Sequence, residues 1–149
     1  MKRTSLYLLA AALIAAFTLA VLPTQQPASA DNHGDKAGKE VIHEAMEVLG
    51  GTYRKVRRQM SDASKNAETA DMLATMITAS ADAKKHLPET ASTGDLKNSY
   101  RVIMNKLIVS LANAENAALT GDNDKLREYV LAANSAKGEG HELFIPDDE

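Results

Sequence analysis

The chain contains no cysteine. No disulfide can brace it, so its core and any bound group must supply the stability. Nor can a prosthetic group be tethered to it through cysteine thioethers. An alternating polar–apolar period, the mark of a strand, is absent as well. So are the spacings of a di-iron carboxylate–histidine site, a Ser-His-Asp triad, a phosphate-binding loop and a zinc finger. Beyond the first thirty residues, no apolar stretch is long enough to span a bilayer. These absences remove the commonest hydrolytic and nucleotide-dependent chemistries and leave a cysteine-free helical chain.

The first thirty residues read as targeting rather than fold. Lys2 and Arg3 make a positive start, and Leu6 to Leu22 is rich in Leu and Ala. Pro23 and Pro27 break that stretch, and Ala28-Ser29-Ala30 is an A-x-A cleavage site. This is the pattern of a secretory signal peptide. Residues 1–30 are expected to be cleaved, leaving 31–149 as one domain in the periplasm. The alternative is an uncleaved anchor helix, but the apolar stretch is a little short for a span and the small-residue site follows at once.

Without Lys2 and Arg3, 15 basic residues face 20 acidic ones, a formal charge of −5. That balance disfavours nucleic acid and anionic membrane as partners, so no stable membrane association is expected once the leader is gone. It is compatible with docking to a basic patch on another protein. About 119 residues suit a single core.

Apolar residues recur at three- and four-residue steps through nearly all of that chain, which is the helical period. One run is Ile42, Met46, Leu49, Tyr53, Val56, Met60. The next is Leu73, Met76 or Ile77, Ser80, Ala83, Leu87. A third is Leu96, Tyr100, Ile103, Leu107, Leu111, Ala114, Ala118, and the last is Leu126, Val130, Ala133, Lys137, His141, Phe144. The breaks carry turn chemistry. Ser61 to Asn66 is polar, and Pro88 to Gly94 holds Pro, Thr, Ser and Gly, with Asp95 as the expected N-cap of the third helix. Thr120-Gly121-Asp122-Asn123 offers a glycine C-cap and then a new N-cap, and Pro146 stops the fourth helix. Short first and third connections favour antiparallel neighbours. The expected fold is all-α, an antiparallel up-down-up-down four-helix bundle.

That topology gathers the start of helix 1, the end of helix 2, the start of helix 3 and the end of helix 4 at one end. Met46 and His141 then become neighbours across the bundle, although far apart in sequence. A thioether opposite an imidazole is an axial pair for haem iron. Leu87, Leu96, Tyr100 and Met104 gather at the same end and would form the apolar wall a flat porphyrin needs. Taken singly, Met46 reads as core filler and His141 as a hydrogen-bonded core or surface histidine. The pair together carries the reading. Lys137, one turn before His141 on the same face, would meet a haem propionate or snorkel to solvent. Gly138 and Gly140 either make room for a flat ring or mark a frayed last turn. Gly50 and Gly51 weaken helix 1 without a firm account. His33 falls in the N-terminal segment, His43 lies off the core stripe, and His86 closes helix 2 where a cation suits the dipole. A copper site from His33, His43 and Met46 is conceivable, since imidazole and thioether suit copper.

Several segments resemble soluble cytochrome b-562. They are Met46-Glu47-Val48-Leu49, Tyr100-Arg101, Ala117-Ala118-Leu119-Thr120-Gly121, and His141 twenty residues after that glycine. In the second helix Met76 and Asp82-Ala83-Lys84-Lys85 before Pro88 match too. The resemblance runs from about Glu40 to Phe144, and the family is itself a standard up-down bundle. It implies one non-covalent haem b held between Met46 and His141, with Leu49, Tyr100, Met104 and Lys137 lining the cofactor. The family usually has phenylalanine where this chain has Tyr100 and Met104, and often arginine where it has Lys137.

The expected function is therefore that of a periplasmic electron carrier serving redox partner proteins that the sequence does not name, not that of an enzyme. The alternative is a haem-free periplasmic bundle that binds a protein partner or copper.

Overall fold

The structure, a computed structural model, describes residues 36–145. The expected signal peptide and His33 lie outside the described residues. Four helices make up the described chain: α1 (Lys36–Gln59), α2 (Asn66–Ala83), α3 (Gly94–Thr120) and α4 (Asn123–Phe144), with one 3-10 turn at Ala63–Lys65 before α2. No strand occurs among the described residues, and none of their helices is long and apolar enough to cross a membrane. The architecture is the expected all-α four-helix bundle.

Each helix buries one stripe. In α1, Ala45, Leu49 and Val56 are buried, and Ile42, Met46 and Tyr53, with Met60 just past the helix, pack beside them. They meet Leu73 and Met76 of α2, Leu107 and Leu111 of α3, and Leu126 and Val130 of α4 in one core. Burying such a side chain is worth roughly 1.5–3 kcal/mol. Ser80, on the same stripe of α2, is fully buried because its hydroxyl donates to the Met76 carbonyl at 2.8 Å.

The helix ends follow local chemistry. The α3 N-cap is Thr93, whose Oγ1 accepts from the Leu96 amide at 3.2 Å. Asp95 is not the cap. In Ser92-Thr93-Gly94-Asp95 the chain turns helical early enough to place Asp95 in the first turn, where its charge still complements the helix dipole. Gly121 ends α3 with φ of +75°, the left-handed conformation a glycine tolerates, and Asp122 caps α4 through the Lys125 amide. Ile145, the residue before Pro146, is extended at φ −109° and ψ 108°, as proline demands of its predecessor.

The backbones pack most closely between consecutive helices, α1 on α2, α2 on α3 and α3 on α4. The first and last helices are not joined in this way. What lies between them is the cleft described next.

Candidate functional site

At one end of the bundle a cleft of about 90 Å³, partly open to solvent, separates α1 from α4. Ile42 and Met46 line it from α1. Tyr100, Ile103, Met104 and Leu107 form its floor on α3. Ala136, Lys137, Gly140, His141 and Phe144 line it from α4, and Pro88 and Ile145 close the rim. No carboxylate is in this lining. Apart from the Lys137 ammonium and the His141 ring, the walls are hydrocarbon, thioether and aromatic.

Met46 and His141, ninety-five residues apart in sequence, thus line one cavity as the topology requires. Tyr100, Met104 and Lys137 line it too. Leu49 does not. It lies in the core, one percent exposed, one turn along α1 from Met46. Leu87 and Leu96 pack against the core nearby without reaching the cleft lining. Ile103, Leu107 and Phe144 belong to the sequence's inner stripes but were not singled out as cleft residues, because a stripe shows which face is inward and not which inward positions have a neighbour missing.

The His141 Nε2 is buried and has no hydrogen-bond partner. A buried ring nitrogen without a partner is costly unless a bound group takes it up. Burial, reinforced by the Lys137 charge one turn away, pushes the imidazole pKa below its ordinary value. The ring therefore keeps a free lone pair to lower pH than an exposed histidine would, which is what a metal ligand needs. The sulfur of Met46 adds a soft neutral donor from the opposite wall.

The walls are set by contacts away from the ligands. Tyr100 donates its hydroxyl to the Ala83 carbonyl at 3.0 Å, and its ring meets Phe144 edge-on, with centroids 5.5 Å apart and planes at 87°. Thr90 donates its hydroxyl to the Phe144 carbonyl at 2.9 Å, so the close of α4 is tied to the α2–α3 connection. The last turn of α4 is therefore continuous rather than frayed. Gly140 supplies closeness. A Cβ there would lie 3.4 Å from the Ile103 side chain, whereas a Cβ at Gly138 would meet nothing within 4 Å.

The remaining histidines stand apart. His43 is exposed and faces Glu47 at 3.6 Å. His86 follows α2 and packs over Gly38, where a Cβ would come within 3.0 Å of its Nδ1. No group of three or more His, Cys, Asp or Glu side chains is arranged to hold a metal among the described residues. A family model described as cytochrome b562 matches residues 41–144. Comparisons with curated proteins and with solved structures found no significant match.

Proposed function

Because the chain belongs to the cytochrome b562 family, haem-binding helical bundles of the electron-transfer type, we propose that it is a periplasmic one-electron carrier holding a single non-covalent haem b between Met46 and His141. The observation that carries this is that His141, whose buried Nε2 has no partner, lines the same cavity as Met46.

Bound haem supplies reversible one-electron exchange between ferrous and ferric iron. The protein's part is binding and tuning. His141 offers a neutral imidazole, kept unprotonated by burial and by Lys137. Met46 offers a thioether that favours the reduced metal and raises the potential over a bis-imidazole site. If both Met46 and His141 hold the cofactor, they would leave no position for oxygen or substrate, which fits the non-enzymatic character of the family. The apolar walls exclude water and so limit reorganisation when charge changes. Lys137, a cation in an otherwise apolar lining, would supply the counter-charge for a carboxylate of the cofactor. Redox partner proteins would dock at the rim of the cleft, where it opens to solvent.

Titrating haem into the purified protein tests this. A one-to-one complex with a sharp Soret band and split bands in the reduced state supports the reading. Absence of a saturable complex overturns it. The haem-free alternative, with copper on His33, His43 and Met46, is less favoured, because His43 points to solvent beside Glu47 while Met46 turns into the cleft.

A further inference from the structure

Gly50 and Gly51 interrupt α1 near its middle, and nothing within the monomer requires them. Gly121 is the one glycine with positive φ among the described residues, so neither uses glycine's conformational freedom. A Cβ added at either would meet nothing within 4 Å, so neither is demanded by packing.

The charges on the two sides of this pair are segregated. Glu40, Glu44 and Glu47 precede it; Arg54, Lys55, Arg57 and Arg58 follow it, and all seven are exposed. None of the four basic residues forms an ion pair among the described residues, nor do Glu40 and Glu44. Glu40, Glu44, Glu47, Gly51, Arg54 and Arg58 follow one another in alternating steps of four and three. That spacing puts all six on one face, a polar seam on the solvent side of α1, away from the core stripe of Ala45, Leu49 and Val56. The dipole of α1 itself favours acids early and bases late. It accounts for Arg57 and Arg58 in the last turn, but not for Glu47 and Arg54 near the middle or for bare backbone between them.

We propose that this seam pairs with the same seam of a second copy, antiparallel, about a two-fold axis level with Leu49. In that register Glu40 faces Arg58 of the partner subunit and Glu44 faces Arg54 of the partner subunit. Glu47 then crosses over Gly51 of the partner subunit, where the missing side chain lets the two backbones approach. Symmetry repeats each contact. A parallel pairing sets glutamate on glutamate and arginine on arginine, so charge selects the antiparallel one. From Glu40 to Arg58 the seam rises about 27 Å along the helix. Because it is polar, the dimer is salt-sensitive and concentration-dependent. The cleft opens on another side of α1, so this pairing does not depend on the haem reading.

Sedimentation of the protein as isolated tests it. At low ionic strength the average mass should rise from monomer toward dimer with concentration, and fall back to monomer at about 1 M salt, where the Debye length is about 3 Å. Arg54→Glu with Arg58→Glu should weaken self-association at least tenfold, and so should Glu40→Arg with Glu44→Arg. Mixing the two variants should restore a dimer of one of each, which a merely destabilised fold would not do. Gly51→Gln should favour the helix yet weaken the dimer. A monomer at every concentration in low salt overturns the proposal. So does self-association that survives both charge reversals.

Discussion

The Tyr100 hydroxyl donates to the Ala83 carbonyl at 3.0 Å, fastening the start of α3 to the last residue of α2 behind the cleft. The same carbonyl also accepts the His86 amide at 3.0 Å. Removing the hydroxyl therefore leaves no orphaned acceptor. Tyr100→Phe should cost the lower range for a lost hydrogen bond, about 0.5–1.5 kcal/mol, and should keep the edge-on contact with Phe144. Urea unfolding of the two proteins measures it; a loss well above that range would mean that the hydroxyl holds more than this bond.

Burial pushes the Tyr100 phenol up to about 12. Its unfolded counterpart ionises near 10. Between those values the folded state holds the proton that the unfolded state has released. Stability from this group is therefore complete below pH 10 and falls as pH rises toward 12, by roughly 1.4 kcal/mol per pH unit. Ultraviolet titration should show a phenolate appearing near 12 that is missing from Tyr100→Phe.

His141 gives the opposite slope in acid. Its folded pKa is depressed by burial and then by Lys137, so below about 6.5 the unfolded chain binds a proton that the folded chain refuses. The empty protein should lose stability as pH falls through that region. His141→Gln should remove this component, leaving a flatter acid limb in melts recorded over a pH series. An unchanged limb would mean that the ring is not held unprotonated.

Removing either proposed ligand should leave a folded bundle, since neither side chain is in the fully buried core. Met46→Ala should change the spectrum toward five-coordinate or water-ligated iron, and His141→Ala should weaken haem retention more. Haem that binds only the folded chain raises its stability by about 2.7 kcal/mol at 100-fold excess over the dissociation constant. Thermal shifts with added haem should therefore rank wild type above Met46→Ala, and Met46→Ala above His141→Ala. Three equal shifts would remove both residues from the site.

Leu111 is one percent exposed in the middle of the core. Leu111→Ala should cost about 2–5 kcal/mol through lost burial and the cavity left behind. Guanidinium unfolding gives the figure.

That Met46 and His141 share one cleft was legible because it depends only on helical period and short connections. Met46 and His141 sit on inner stripes, and up-down topology does the rest. The wall was less legible. Leu49 is as inward-facing as Met46, yet it is fully covered by the core, while Met46 is half-buried and lines the cleft. Periodicity reports direction, and coverage is a property of the partner helix. The α3 cap was misplaced by two residues because Ser92, Thr93 and Asp95 are all competent caps, and only the path of the chain selects Thr93. Pro146, by contrast, marked the end of α4 correctly, since its constraint on Ile145 is local.

The cleft lies between the first and last helices, and the closest backbone packing among the described residues joins consecutive ones. Its two walls are thus the pair of elements most distant in chain order. Contacts between sequence neighbours form early and cheaply, whereas closing a loop of nearly a hundred residues comes late. A chain whose α4 has not yet docked presents only the α1 wall of the cleft. The cavity therefore comes into being at the end of folding, and capture of a ligand there reports that the chain has arrived whole.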